Sequence, residues 1–126
     1  MKRIHTIEAI CKEIQGVTGI KDVYPSSFPT NAGNECIVVS FNGGQMLGTV
    51  AYPSLQVVCR ADMPQRTYDI AVEVSDYLAS LQDVRLVNGD LVIHCKKSNP
   101  FPLYLGQDEN RRHMYSTNYT LILSDE

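Results

Sequence analysis

The sequence predicts an α+β fold, two helices packed on a mostly antiparallel β-sheet in the order α-β-β(-β)-α-β-β-β. Three observations carry this. Two segments, residues 4–15 and 62–81, repeat apolar side chains at helical steps. Several runs of β-branched residues are separated by the turn signals Asn42-Gly43-Gly44 and Asn88-Gly89. The chain then closes on a long alternation, His113 to Leu123.

In the first helix Ile4, Ile7, Cys11 and Ile14 repeat at steps of three and four, and Gly16 and Gly19 are expected to end it. Residues 16–35, with Pro25, Pro29 and Gly33, read as a long connection. Cys36 to Phe41 is a continuous apolar run, as in a strand buried on both faces. Asn42-Gly43-Gly44 predicts a hairpin turn, residues 46–52 a return strand, and Leu55 to Arg60 a further strand.

The second helix has Asp62 as its expected cap and Pro64 in its first turn, and runs to about Leu81. Ile70, Ala71, Val74, Tyr77, Leu78 and Leu81 share a core face, and Asp69, Glu73, Asp76 and Ser80 a polar one. A third stripe, Tyr68, Val72, Ser75 and Ala79, is small or apolar where a solvated helix back is usually charged. It is either tolerated surface or a face covered by a neighbouring protein.

A two-residue turn at Asn88-Gly89 places Leu86 opposite Leu91 and Val84 opposite Ile93, so that four apolar side chains share one face. In the last strand Tyr115, Thr117, Tyr119, Leu121 and Leu123 alternate with Met114, Ser116, Asn118, Thr120 and Ile122 ahead of the acidic Asp125-Glu126. No repeat or low-complexity tract interrupts this order.

With 126 residues, one domain spanning residues 1–126 is expected. A net charge of −3 argues against a protein that grips nucleic acid by neutralising phosphates. The first residues lack the apolar stretch of a signal peptide. No window approaches the roughly 20 apolar residues of a spanning helix, so an intracellular, soluble protein is expected. Cys11, Cys36, Cys59 and Cys95 stand among apolar neighbours with no C-x-x-C, which points to buried free thiols.

No catalytic constellation is present. His5 falls in the first helix, His94 in a strand and His113 at a strand start, and adjacent His94 and Cys95 point to opposite faces of a strand. The pair Asp108-Glu109 has no flanking nucleophile or base, and Asn118-Tyr119-Thr120 carries no meaning as a glycosylation acceptor inside a cell. Neither an enzyme activity nor a cofactor or metal is expected.

The segment 99–112 remains. Its prolines favour an extended path, and Phe101, Leu103, Tyr104 and Leu105 must be buried by the domain's own core or by a partner. The stretch Pro102-Leu103-Tyr104-Leu105-Gly106-Gln107-Asp108-Glu109-Asn110, followed by Arg112, Tyr115 and Asn118-Tyr119, resembles the C-terminal signature of the minor capsid or tail terminator proteins of long-tailed bacteriophages. Where the family pattern has a glycine after Asp-Glu-Asn, this chain has Arg111, so a left-handed residue there falls to Asn110 or is absent.

The resemblance implies a structural phage or prophage protein that forms a ring, usually of six subunits. Such a ring caps the finished tail tube, stops tail polymerisation and presents the head-joining surface. It implies a homo-oligomer, a tail-tube protein and a head-completion protein as partners, and DNA that passes through without specific binding. The setting would be the virion tail, and the host cytoplasm during assembly. Ring contacts are heterologous, and Tyr68, Val72, Ser75 and Ala79 become candidate subunit-interface residues. Phe101, Leu103, Tyr104, Gln107, Asp108 and Arg111 become candidate partner contacts. Loops 24–35 and 43–54 are either tube or head contacts or plain connectors. The alternatives are another neck or head-completion protein, or a small ligand-binding module or enzyme built on the 99–112 loop.

Overall fold

The computed structural model describes residues 5–124. Its elements are α1 (Thr6–Thr18), β1 (Val23–Pro25), β2 (Cys36–Leu47), β3 (Val50–Ala61), α2 (Pro64–Ala79), β4 (Gln82–Arg85), β5 (Leu91–Lys97), β6 (Leu103–Gln107) and β7 (His113–Ser124). The fold is α+β in the expected order, with β6 as a short strand inside the expected loop. The strand order is β1-β2-β3-β7-β5-β4, with β6 also paired to β7. All pairings are antiparallel except β1 with β2. Ile4 and Asp125-Glu126 lie outside the described residues.

β7 is central because its alternation serves two neighbours. One edge pairs with β3 along its length, and the other with β5 from Tyr119 to Ser124 and with β6 from His113 to Ser116. Tyr119, Leu121 and Leu123 join Ile37, Val39, Leu55, Val57 and Cys59 beneath the helices. α2 supplies Ile70, Ala71, Val74 and Leu78, and α1 supplies Ala9, Ile10, Cys11 and Ile14. The Tyr77 hydroxyl, half-buried at the margin, donates to Glu13 Oε2 at 2.9 Å and ties the helices together. Cys36 and Val38 are buried outside that cluster, so β2 is covered on both faces as its continuous apolar run predicts. All four cysteines are free and buried.

Several local expectations are corrected. Gly16 continues α1, and Gly19 alone ends it, at φ 73° with its N–H bonded to Gln15 O. His5 precedes the helix rather than lying in it. Asp62 does not cap α2: Met63 occupies that position without a side-chain bond, and Pro64, which lacks an N–H, opens the helix. Tyr24-Pro25 belongs to a short strand parallel to β2 rather than to plain connector.

The Asn42-Gly43-Gly44 signal marks a bulge between Phe41 and Gly44, not the turn. The turn lies at Gly48-Thr49, beyond the pair Leu47 and Val50, and the two expected return segments are the single strand β3. Pro53 is tolerated in it because it stands opposite the bulge, at Gly44.

The Asn88-Gly89 hairpin is slipped by one residue. Arg85 pairs with Leu91 and Val84 with Val92. The Leu86 N–H bonds Asp90 O, and Gly89, at φ 96°, bonds Leu86 O. This is a three-residue loop closed by a left-handed glycine, not a two-residue turn. The expected face of four apolar side chains is lost with the slip: Leu86 and Val92 are buried, while Val84 is 39% exposed.

Candidate functional site

The two sets of candidate residues meet at the His113 end of β7. Tyr115 stands between them, with its ring 5.4 Å from Tyr68 of α2, edge to face, and 5.1 Å from Tyr104 of β6. Such ring pairs add about 0.5–1.5 kcal/mol beyond area burial, so α2, β7 and β6 are clamped as one surface. The Tyr104 hydroxyl is hydrogen-bonded to His113 Nδ1 at 2.8 Å. Farther along α2, Val72 and Ser75 border a groove of about 240 Å³ whose opposite wall is Lys97 and Pro100-Phe101-Pro102.

Within the helix stripe, Ser75 is buried, and Tyr68, Val72 and Ala79 are half-buried. The apolar side chains of the 99–112 segment are not taken up by the chain's own core: Phe101 is 70% exposed, and Leu103, Tyr104 and Leu105 are also exposed. β6 pairs only with β7, so its other edge offers open backbone hydrogen-bonding groups among the described residues.

The turn after β6 is built on Asp108. Its Oδ1 accepts the N–H groups of Asn110 and Arg112, and its Oδ2 accepts Arg112 Nε, each at 2.9 Å. Burial pushes the Asp108 carboxyl up, but these bonds outweigh it and hold it below the usual carboxylate range. Gln107 Nε2 donates to Arg111 O at 3.2 Å. Arg111 itself is the left-handed residue, at φ 61°, so the glycine position of the resembled pattern is kept by geometry rather than by residue type.

Behind this turn lies Arg60, 4% exposed although it alternates along β3 with the apolar Leu55, Val57 and Cys59. Its Nη2 donates to Gly33 O at 2.7 Å, its guanidinium carbon is 4.4 Å from the Phe28 ring centre, and Nη1 is 3.8 Å from Asp108 Oδ2. Burial, then the nearby Arg112 charge, lowers its pKa. Arg60 thus fastens the 26–35 connection and the 108–112 turn to the same end of the sheet. No sequence signal marks it: its place opposite Cys36, in a sheet region covered on both faces, is a matter of register alone.

The other exposed apolar surface is the tip of the β2–β3 hairpin. Met46 and Leu47 are each 65% exposed. No motif singles them out, but Asn42 to Gln56 contains no charged residue, in a chain that is 20% charged. Loop 43–54 is the closed end of the β2–β3 hairpin rather than irregular chain.

Burial raises the Cys59 and Cys95 thiols to about 12, which suppresses the thiolate a nucleophile needs. Among the described residues no group of three or more His, Cys, Asp or Glu is placed to hold a metal ion. No helix there is long and apolar enough to cross a membrane.

A family model described as bacteriophage tail terminator protein matches residues 11–125. No curated protein matches the sequence. Among solved structures, a chain from the virion of a native gene transfer agent particle superposes with a TM-score of 0.57 at 13% identity, covering 88% of this chain and 84% of that one. At that identity the likeness concerns the fold.

Proposed function

The chain belongs to the bacteriophage tail terminator family, and from that premise we propose that it closes into a ring, of six subunits by the family resemblance, which caps the tail tube. The ring stops tube polymerisation and offers the surface on which the head, through a head-completion protein, is joined. Residues 1–126 act as one domain in this reading. Assembly takes place in the host cytoplasm and the product is part of the virion.

The observation that carries the proposal is the pair of exposed apolar surfaces, Met46-Leu47 and Phe101 to Leu105, which the monomer leaves in water. Tyr68, Val72, Ser75 and Ala79 are assigned to the subunit interface, where Ser75 supports the face from below because it is itself buried. Phe101, Leu103, Tyr104, Gln107, Asp108 and Arg111 are assigned to partner contact, the last three by setting the turn that aims β6. The exposed side chains Leu103, Tyr104 and Leu105 lie along an open sheet edge, which favours the docking of a protein surface there. A net charge of −3 suits a ring through which DNA passes without being held.

The deciding experiment polymerises purified tail-tube protein with and without this chain and measures tube lengths by electron microscopy. Shorter tubes with one capped end are expected. Unchanged lengths, together with a strictly monomeric chain in sedimentation, would refute the proposal.

A further inference from the structure

We propose that Leu47, at the hairpin tip of one copy, seats in the groove of the next copy between α2 and the Lys97–Pro102 segment. This rests on the ring reading and names the contact that makes the ring. Five of the groove's walls are apolar or aromatic, Tyr68, Val72, Pro100, Phe101 and Pro102, and Ser75, Asp76 and Lys97 complete it. Its volume of about 240 Å³ accommodates a single large aliphatic side chain.

A chain cannot fill its own groove. Leu47 lies opposite Val50, level with Ser124, and Met46 opposite Ala51, level with Leu123, whereas Lys97 pairs with Tyr119. Tyr119 and Ser124 are roughly 17 Å apart along β7 at about 3.3 Å per residue, and no residue of the tip is among the groove's walls.

A second copy is favoured over a different protein by the match between the two surfaces. The hairpin from Asn42 to Gln56 and the segment from Ser98 to Gln107 are both uncharged. Each exposes large aliphatic or aromatic groups, and joining Leu47 to Phe101 between copies removes both from water at once. Because tip and groove are different patches at separated places on one sheet, the contact is heterologous. Such contacts repeat from copy to copy and close when the rotation allows.

The test uses the full chain with Leu47→Cys in one preparation and Val72→Cys in another, the native cysteines being buried. Mild oxidation of the mixture should give a disulfide-linked dimer that neither preparation gives alone, and the double variant should give a ladder of linked copies. Leu47→Asp, at an exposed site, should keep the monomer's melting temperature and weaken self-association by roughly tenfold or more. If oligomers form but Leu47→Cys and Val72→Cys do not link and Leu47→Asp assembles normally, the seating is wrong while the ring stands. Linking of Leu47→Cys to a cysteine-bearing tail-tube protein instead would assign the tip to the tube and overturn the proposal. If no oligomer forms even in the presence of tail tubes, both readings fall.

Discussion

Asp108 holds Arg112 with both carboxylate oxygens, Oδ1 accepting its backbone N–H and Oδ2 its Nε–H, each at 2.9 Å. The Asp108 N–H returns a bond to Arg112 O at 2.9 Å, which closes the turn between β6 and β7. A carboxylate held below its usual range stabilises the fold above the unfolded-state value, and that contribution is lost as pH falls through the lowered one. Asp108→Asn should cost about 2 kcal/mol at neutral pH and flatten the loss of stability on acidification below about pH 4. Denaturant melts of both proteins from pH 7 to pH 2.5 check this; parallel curves would show that the carboxylate is only a surface group.

Arg111 pays the cost of a left-handed backbone, at φ 61°, without a β-carbon-free residue to relieve it. Arg111→Gly should therefore stabilise the monomer by about 0.5–1 kcal/mol, the relief of strain being partly offset by the freer unfolded chain. Thermal melting reads this as a rise of a few degrees. A fall would mean that the Arg111 side chain makes a stabilising contact of its own.

What was legible in the sequence was whatever burial alone dictates. The α2 face of Ile70, Val74 and Leu78 and the β7 alternation of Tyr119, Leu121 and Leu123 follow from period and hydrophobicity, and both are found in the core. The turns were less legible, because a glycine announces a permitted conformation and not which one. Gly43 and Gly44 serve a bulge, and Gly89 serves a three-residue loop, although each sits in a sequence typical of a tight turn. At the candidate site, Phe101 and Tyr104 stood out as apolar groups needing cover. Arg60 did not, since its burial depends on Phe28 and Gly33 arriving from a distant connection. Met46 and Leu47 carry no such mark in the sequence, because only the register shows that the turn follows them at Gly48-Thr49 and leaves them at the open end of the sheet.

Tyr119 is 1% exposed at the centre of the sheet, and its hydroxyl lacks a hydrogen-bond partner of normal geometry. Burial leads the causes that raise its pKa to about 12, so it is neutral throughout the range where the protein folds. A buried hydroxyl without a bond costs more than it returns. Tyr119→Phe should leave stability unchanged or raise it by up to about 1 kcal/mol. A loss of more than about 1 kcal/mol in urea unfolding would show that the Ser75 or Thr117 hydroxyl satisfies it.

Gly44 is the position on which the shape of the hairpin depends. It has φ 146°, and a β-carbon there would stand 2.5 Å from Tyr52 O and 2.6 Å from Pro53 Cα, both backbone atoms of the paired strand. Gly43, at φ 94°, has nothing within 4 Å of such a carbon. Gly43→Ala therefore meets only the backbone penalty, of order 1 kcal/mol, whereas Gly44→Ala must also push the two strands apart and should cost at least about 2 kcal/mol. Most of the hairpin beyond Leu55 is outside the core, so the loss should be local. Hydrogen exchange should quicken from Asn42 to Tyr52 in Gly44→Ala, more than in Gly43→Ala, while the amides of α2 keep their protection. Because the tip is carried on this bulge, Gly44→Ala should also impair self-association without changing a single residue of the proposed contact. Equal behaviour of the two variants would mean that the close approach at Gly44 is absorbed by the flexible strand and that φ alone sets the hairpin.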